Sequence, residues 1–226
     1  AFVESTFGAW HIKGGIGQLS VALEQRCLDL GVKFEFNTLV TEISVKFGRV
    51  IGIKTGQGNN IASDLVVSNS DAEYTYNKLV KKEISEAKGE RRKLKIATKS
   101  LAGFSLLLGL DNTKSHKVNL DHHNVYFPEN YDAEFDDIFT KKVPVTDPTI
   151  YVCAPKDNSM VKGIDKESWF VLVNAPRHDL ENGWNWNKGG DKYAEKIIKK
   201  LDHLGLNVSN RLDFMKFRTP ADLENY

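Results

Sequence analysis

Gly14, Gly15 and Gly17 stand within four residues of one another, directly ahead of a stretch with helical periodicity. No other local feature restricts the fold as strongly. Glycine reaches backbone angles closed to other residues, so such a run makes a tight turn and lets a ligand or a second backbone come close. From Ile16, apolar side chains recur at Leu19, Leu23, Cys27 and Leu30 in steps of three and four. That spacing predicts one buried helical stripe, and Gly31 stands where a left-handed C-cap belongs. A glycine turn opening a helix can hold an anion on its free N–H groups. As a motif, Gly15-Ile16-Gly17-Gln18-Leu19-Ser20 approaches the dinucleotide fingerprint G-x-G-x-x-G, with Glu35 near the place of its ribose-binding acid. Ser20 replaces the third glycine, however, and the segment before Gly14 is short and mixed for a first strand. Plain packing at a helix entrance is the stronger reading of the run.

The next stretch reads as extended chain. Lys33-Phe34-Glu35-Phe36 alternates, Leu39 to Val45 is rich in β-branched residues, and Arg49 to Thr55 alternates through Val50, Ile51 and Ile53. Turn signals at Phe47-Gly48 and at Gly56-Gln57-Gly58-Asn59-Asn60 make the last two a hairpin. Leu65-Val66-Val67 is a short continuous apolar run of the kind found in a strand covered on both faces. It ends in Ser68-Asn69-Ser70-Asp71, which suits a helix N-cap. Helix, strand, hairpin, buried strand and new helix together predict an α/β segment.

A boundary is expected between Asp71 and Lys82, followed by a charged helical connection over Lys81 to Lys99 in which Arg91, Arg92, Lys93 and Lys95 form a solvated face. Strands are predicted at Leu101 to Leu110, Val125 to Phe127, Thr149 to Cys153 and Trp169 to Asn174. Tyr131, Phe135, Ile138 and Phe139 fall on one helical face, with Asp132, Glu134, Asp136 and Asp137 on the other. A last helix starts at Asp191 as N-cap. It turns Tyr193, Ala194, Ile197, Ile198, Leu201 and Leu204 inward and Lys196, Lys199 and Lys200 outward, and ends at Gly205. Helices beside a strand-rich sheet predict an α+β arrangement.

Composition excludes some functions. A net charge of +1 gives no basic footprint for nucleic acid. The most apolar run, Phe104 to Leu110, is far short of the ~20 residues of a membrane-spanning helix. The two cysteines, Cys27 and Cys153, lie far apart without ligand spacing, so neither a zinc site nor a disulfide is expected, and reduced thiols fit a cytosolic compartment. His122 and His123 are adjacent, and neighbours in a strand point to opposite faces, so they are not expected to act together or to ligate one metal. Asp147, Asp165 and Glu167 fall in loop-like contexts as solvated carboxylates. No metal site and no catalytic residue is assigned.

Several segments, in order along the chain, carry a family resemblance: Trp10 to Leu19, Asn37 to Ile43, Ser68 to Ala72, Ser100 to Leu110, His122 to Phe127, Asp147 to Tyr151, Trp169 to Pro176 and Arg218 to Asp222. The ordered set resembles the carotenoid (phytoene) desaturases, FAD-dependent oxidoreductases within the amine-oxidase-like flavoproteins. The resemblance implies α/β plus α+β architecture, with residues 1–75 a segment of an FAD-binding, Rossmann-like domain and 76–226 an incomplete sheet-and-helix substrate domain. It implies FAD as cofactor, with the backbone of Val40 meeting the adenine and Gly14, Gly15, Ser68, Asn69 and Asp71 approaching the cofactor. The reaction it implies is dehydrogenation of a long polyene such as phytoene, by removal of hydride from an allylic carbon.

A hydrocarbon of that kind offers only apolar area and shape to a site. Phe104, Leu106, Leu108, Tyr126, Phe127, Tyr151, Trp169, Phe170 and Leu172 suit such a lining, although strand residues of these types more commonly form core. A cytoplasmic protein in peripheral contact with a membrane follows, and the Tyr131 to Phe139 face is one candidate patch, with packing on the sheet its commoner use. The family's N-terminal G-x-G-x-x-G turn and its C-terminal glycine-rich flavin motif are both absent. The chain therefore reads as an internal piece of a longer protein, expected neither to retain FAD nor to act by itself. A carotenoid isomerase, another amine-oxidase-like flavoenzyme, or a non-catalytic hydrophobic-ligand or interaction module are the alternative readings.

Overall fold

Strand alternation and turn glycines resolve into two antiparallel sheets. The computed structural model describes residues 2–8, 10–157, 159–161, 163–181 and 183–224. In chain order the elements are α1 (Phe2–Phe7), α2 (Gly17–Asp29), β1 (Val40–Lys46), β2 (Arg49–Thr55), β3 (Asn60–Ala62), α3 (Ala72–Tyr74), α4 (Lys88–Ile96), β4 (Ala102–Asp111), β5 (His123–Tyr126), α5 (Tyr131–Phe135), β6 (Ile150–Cys153), β7 (Lys166–Ala175), α6 (Gly190–His203), β8 (Leu212–Arg218) and α7 (Pro220–Glu224). The chain divides into two units, residues 25–99 and residues 1–24 with 100–226. The expected boundary near residue 75 lies inside the first of these.

In the 25–99 unit, β1, β2 and β3 form a three-stranded meander. Phe47 and Gly48 both take positive φ, 50° and 73°. Two left-handed residues match the right-handed twist of the strands they join, which closes the hairpin with Lys46 opposite Arg49. Ile43 packs with Leu79, Val80 and Ala87, and Val45, Val50, Ile53 and Val66 lie against them. Arg91 departs from its expected solvated face. Its guanidinium reaches the carbonyls of Tyr76 (2.7 Å), Val80 (2.8 Å) and Lys81 (2.8 Å), so the charge collects the free C=O groups at the end of a π-helical turn over Thr75–Leu79.

Three expectations for the first hundred residues are corrected. Residues 33–36 form no strand. Leu65-Val66-Val67 is not a buried strand: Leu65 is 76% and Val67 85% exposed, and only Val66 packs inward. Among the described residues no strand pairs with it, and an apolar run becomes a buried strand only when a ladder and two covering faces exist. Helix α2 forms as predicted, and the N–H of Val32 donates to Cys27 O (3.0 Å) around Gly31 at φ 80°. Its stripe is nonetheless open, with Leu19, Leu23 and Leu30 at 46%, 56% and 65% exposure and no buried residue in the helix. Periodicity defines a face; burial needs a surface to meet it.

In the other unit the strands run in the order β5-β6-β7-β4-β8, every ladder antiparallel. Alternation splits the long strand β4, which is paired on both sides. Phe104, Leu106, Leu108 and Leu110 point to a closed face, where Trp169, Val171 and Val173 of β7 and Tyr193, Ala194, Ile197 and Leu201 of α6 complete the core. The N-cap of α6 is Gly189 at φ 87°, which leaves Asp191 in the first turn. Leu204 stays 39% exposed, and Leu206 takes the inward place beyond the turn. Strand β8 was not expected from the sequence.

The acidic side of α5 is partly closed, and one loop carboxylate is relocated. Glu134 and Asp137 are buried, not solvated. Glu134 accepts from Thr149 N–H (2.9 Å), Thr149 Oγ1 (2.6 Å) and Asn174 Nδ2 (2.9 Å), which balances its loss of water. Glu167 lies in β7, not in a loop, and pairs with the fully buried Arg211 at 3.2 Å. No helix among the described residues is long and apolar enough to cross a membrane.

Candidate functional site

Val40 opens β1, the edge strand of its sheet, opposite Thr55. The adjoining cross-strand bond is made by Leu39, whose carbonyl accepts from Gly56 N–H at 2.8 Å. In an antiparallel pair backbone groups face the partner at every second residue, so the N–H and C=O of Val40 face the open side. A free donor and acceptor side by side on an edge strand are the groups that an adenine rim requires.

The turn at Ser68–Asp71 belongs to the same unit. Asp71 caps α3 through a 2.7 Å bond from Glu73 N–H, and the hydroxyls of Ser68 and Ser70 both lie 2.8 Å from Thr75 Oγ1. Asn69 is exposed. The turn is thus held by its own side chains, with an exposed amide at its tip.

Gly14 and Gly15 lie in the other unit, both at positive φ, 83° and 90°. The Gly14 N–H donates to Asp157 Oδ2 at 2.7 Å, and the Gly15 N–H closes a turn onto Ile12 O at 2.8 Å. An anion therefore sits on the glycine loop, supplied by the chain itself. Bonds from Ser159, the Gly14 N–H and His11 hold the Asp157 carboxyl well below the usual carboxylate range.

The residues proposed as apolar lining separate by strand parity. Phe104, Leu106, Leu108 and Trp169 are buried under α6 in the closed core, so they line no ligand site. Tyr151, Phe170 and Leu172 face the other way. The register aligns them in rows with residues not singled out from the sequence: Val125, Tyr151 and Leu172 in one, Phe170 and Leu107 in the next, and Phe214 opposite Gly109 beyond. Val125, Leu107 and Phe214 are 50%, 43% and 50% exposed, so this sheet face carries an open apolar patch, bounded in the same rows by Lys216 and Arg218 on β8 and by His123 and Cys153 on β5 and β6. Opposite parity within β4 was the available signal, but which parity meets α6 depends on packing.

A second aromatic surface runs along α5. Ring centroids step from Phe127 to Tyr131 (5.9 Å), to Phe135 (5.2 Å) and to Phe139 (6.3 Å). Phe127, Tyr131 and Phe139 are each exposed by 47% or more.

The expectation that His122 and His123 cannot share a ligand is corrected. His122 lies in a bend one residue before β5, outside the alternation of the strand. Its ring therefore need not point away from that of His123, and the two centroids are 4.5 Å apart. Burial and the neighbouring His123 and His11 push the His122 pKa down.

A mixed helix-and-sheet chain of this topology matches a crystal structure of an oxidoreductase from Methanosarcina mazei, with TM-score 0.60 and 17% identity over 91% of this chain and 42% of that one. The likeness defines the fold. No family model matches the chain. Among curated proteins it is 34% identical over 207 residues to a zeta-carotene-forming phytoene desaturase of Myxococcus xanthus, covering 90% of this chain and 38% of that protein. It is 31% identical over 227 residues to a 1-hydroxycarotenoid 3,4-desaturase of a Flavobacterium, covering 99% of this chain and 44% of that protein. Along most of its length the chain is thus homologous to carotenoid desaturases, and it spans about two fifths of their length.

Proposed function

We propose that this protein is an FAD-dependent oxidoreductase that desaturates a long polyene hydrocarbon such as phytoene. One observation carries the reading: similarity to two carotenoid desaturases that runs through 90% and 99% of the chain. Residues 1–75 would contribute to a Rossmann-like FAD-binding domain, and 76–226 to the substrate domain.

The residues present fit a flavin dinucleotide in part. The outward N–H and C=O of Val40 would hold the adenine edge, and Ser68, Asn69 and Asp71 would border the cofactor from a turn already braced by Thr75. Gly14 and Gly15 favour an anion, and their part in the proposal requires a phosphate oxygen to take the place of Asp157 Oδ2. Bound FAD supplies the two-electron acceptor for dehydrogenation.

The chain's own contribution is binding and the exclusion of water. The open face at Leu107, Val125, Tyr151, Phe170, Leu172 and Phe214 would hold the polyene, each well-covered side chain contributing about 1.5–3 kcal/mol. The rows run across several strands, so the patch is elongated and would suit an extended chain better than a bent one. The aromatic row from Phe127 to Phe139 would meet the membrane from which such a substrate comes, as a peripheral contact from the cytoplasm.

Expression of the full-length gene in a host that accumulates phytoene, with pigment followed by absorbance, tests the reaction. New longer-wavelength absorption is expected; a flavin-loaded protein that leaves phytoene unchanged would refute it. Val40→Pro tests the cofactor contact. Proline is tolerated on an edge strand when its missing N–H faces outward, so the sheet should survive while flavin occupancy falls well below that of Val40→Ile. Equal occupancy in the two folded variants would remove Val40 from the site.

A further inference from the structure

We propose that His122, His123 and Cys153 form a binding site for a borderline-soft divalent metal ion of the zinc class, at the β5 edge of the five-stranded sheet. The antiparallel register of β5 and β6 sets His123 directly opposite Cys153. His122 joins them from the bend that precedes β5, and one ligand atom from each of the three lies within 4.8 Å of the others. Zn–N bonds of about 2.0–2.1 Å and a Zn–S bond of about 2.3 Å put tetrahedral ligand atoms roughly 3.4–3.6 Å apart. Closing from 4.8 Å needs displacements of about 1 Å, within reach of side-chain torsions at a partly exposed edge of the sheet.

The donor set selects the ion. Two imidazoles and a thiolate suit zinc and its neighbours, whereas calcium and magnesium require oxygen. The surroundings supply one of the two histidines with the outer hydrogen bond that a ligating histidine uses. The Tyr151 hydroxyl lies 2.7 Å from His123 Nδ1, so it can accept that N–H and leave Nε2 for the ion. The His11 ring stands 4.8 Å from that of His122, and His11 is itself held at 3.1 Å by Asp157. Binding breaks the Cys153 S–H bond and forms a metal–sulfur bond, and the proton goes to solvent. Three protein ligands leave a fourth position for water or a small ligand. The ion would tie β5 and the bend before it to β6, and this inference does not rest on the polyene reading.

Cobalt titration of the tag-free, reduced full chain tests the site, because Co²⁺ in a tetrahedral thiolate site gives visible d–d bands and a sulfur-to-metal charge-transfer band. Wild-type protein should show both with one ion per chain, and Zn²⁺ should displace them. Cys27→Ser should keep the charge-transfer band, and Cys153→Ser should lose it. Tyr151→Phe should weaken zinc binding about 10-fold, and His122→Gln by more than the ~10–100-fold of an outer partner. Circular dichroism checks that each variant is folded. Absence of the charge-transfer band in wild type, its survival in folded Cys153→Ser, or unchanged zinc affinity in folded His122→Gln would each overturn the proposal.

Discussion

Replacing Arg211 by methionine should destabilise the protein by about 3–5 kcal/mol, the cost of removing one partner from a buried ion pair. The guanidinium is completely buried and lies 4.9 Å from the centroid of the Trp169 ring. Its Nε donates to Asn207 O (3.1 Å), Nη2 to Leu206 O (2.9 Å), and Nη1 to Asn112 Oδ1 (2.9 Å) and Glu167 Oε2 (3.2 Å). Methionine keeps much of the stem volume and donates nothing, so three neutral acceptors lose a partner at about 1–3 kcal/mol for each that water cannot reach. Glu167 is less affected because Lys117 holds its other oxygen at 2.8 Å. Glu167→Gln should therefore cost only about 1–2 kcal/mol, since the amide oxygen can still accept and Arg211 keeps its other three acceptors. Urea denaturation followed by tryptophan fluorescence measures both variants, and Trp169 reports directly on the site. An Arg211→Met variant within about 1 kcal/mol of wild type, or a Glu167→Gln variant equally damaged, would refute the reasoning.

Stability should decline as pH falls, in two stages. His122 is pushed below its ordinary 6.5, so the unfolded chain takes up that proton first and the native state weakens as pH drops through 6.5. Asp111, held down by Lys166 and Thr113, and Asp137, held down by Lys141, lie below 3.8, so their stabilisation is complete above that value and lost beneath it. Thermal melts from pH 8 to pH 3 that stay level would contradict this. Gly52→Ala should detach β3 from β2, because Gly52 sits at φ 143° and an added Cβ would lie 2.1 Å from Ile61 O. Hydrogen exchange would register it as lost protection over Asn60–Ala62, and unchanged protection would refute it. Full-length protein should sediment with liposomes, and Phe139→Glu should reduce that binding if the aromatic row makes the contact; a folded variant that sediments as before would clear the row.

Local chemistry was legible in the sequence wherever a single element sufficed. The hairpin at Phe47-Gly48, the Gly31 cap, the strands at 102–111 and 166–175 and the inward face of α6 follow from turn glycines and from periods of 2 and 3.6. The family relationship was legible too, because ordered short segments survive where no single motif is distinctive. What each face meets was decided only in three dimensions. The stripe of α2 has the spacing of a buried face and remains open, while Glu134 and Asp137, charged and placed as if for solvent, are buried because Thr149, Thr146 and Asn174 supply hydrogen bonds from distant sequence. Leu106 and Leu107 are neighbours and the same residue type, yet α6 covers one parity of β4 and leaves the other exposed. His123 and Cys153 stand thirty residues apart without a ligand motif, and only the pairing of β5 with β6 brings them together. A sequence encodes which groups can interact over one or two turns of chain; register and packing decide which distant groups do.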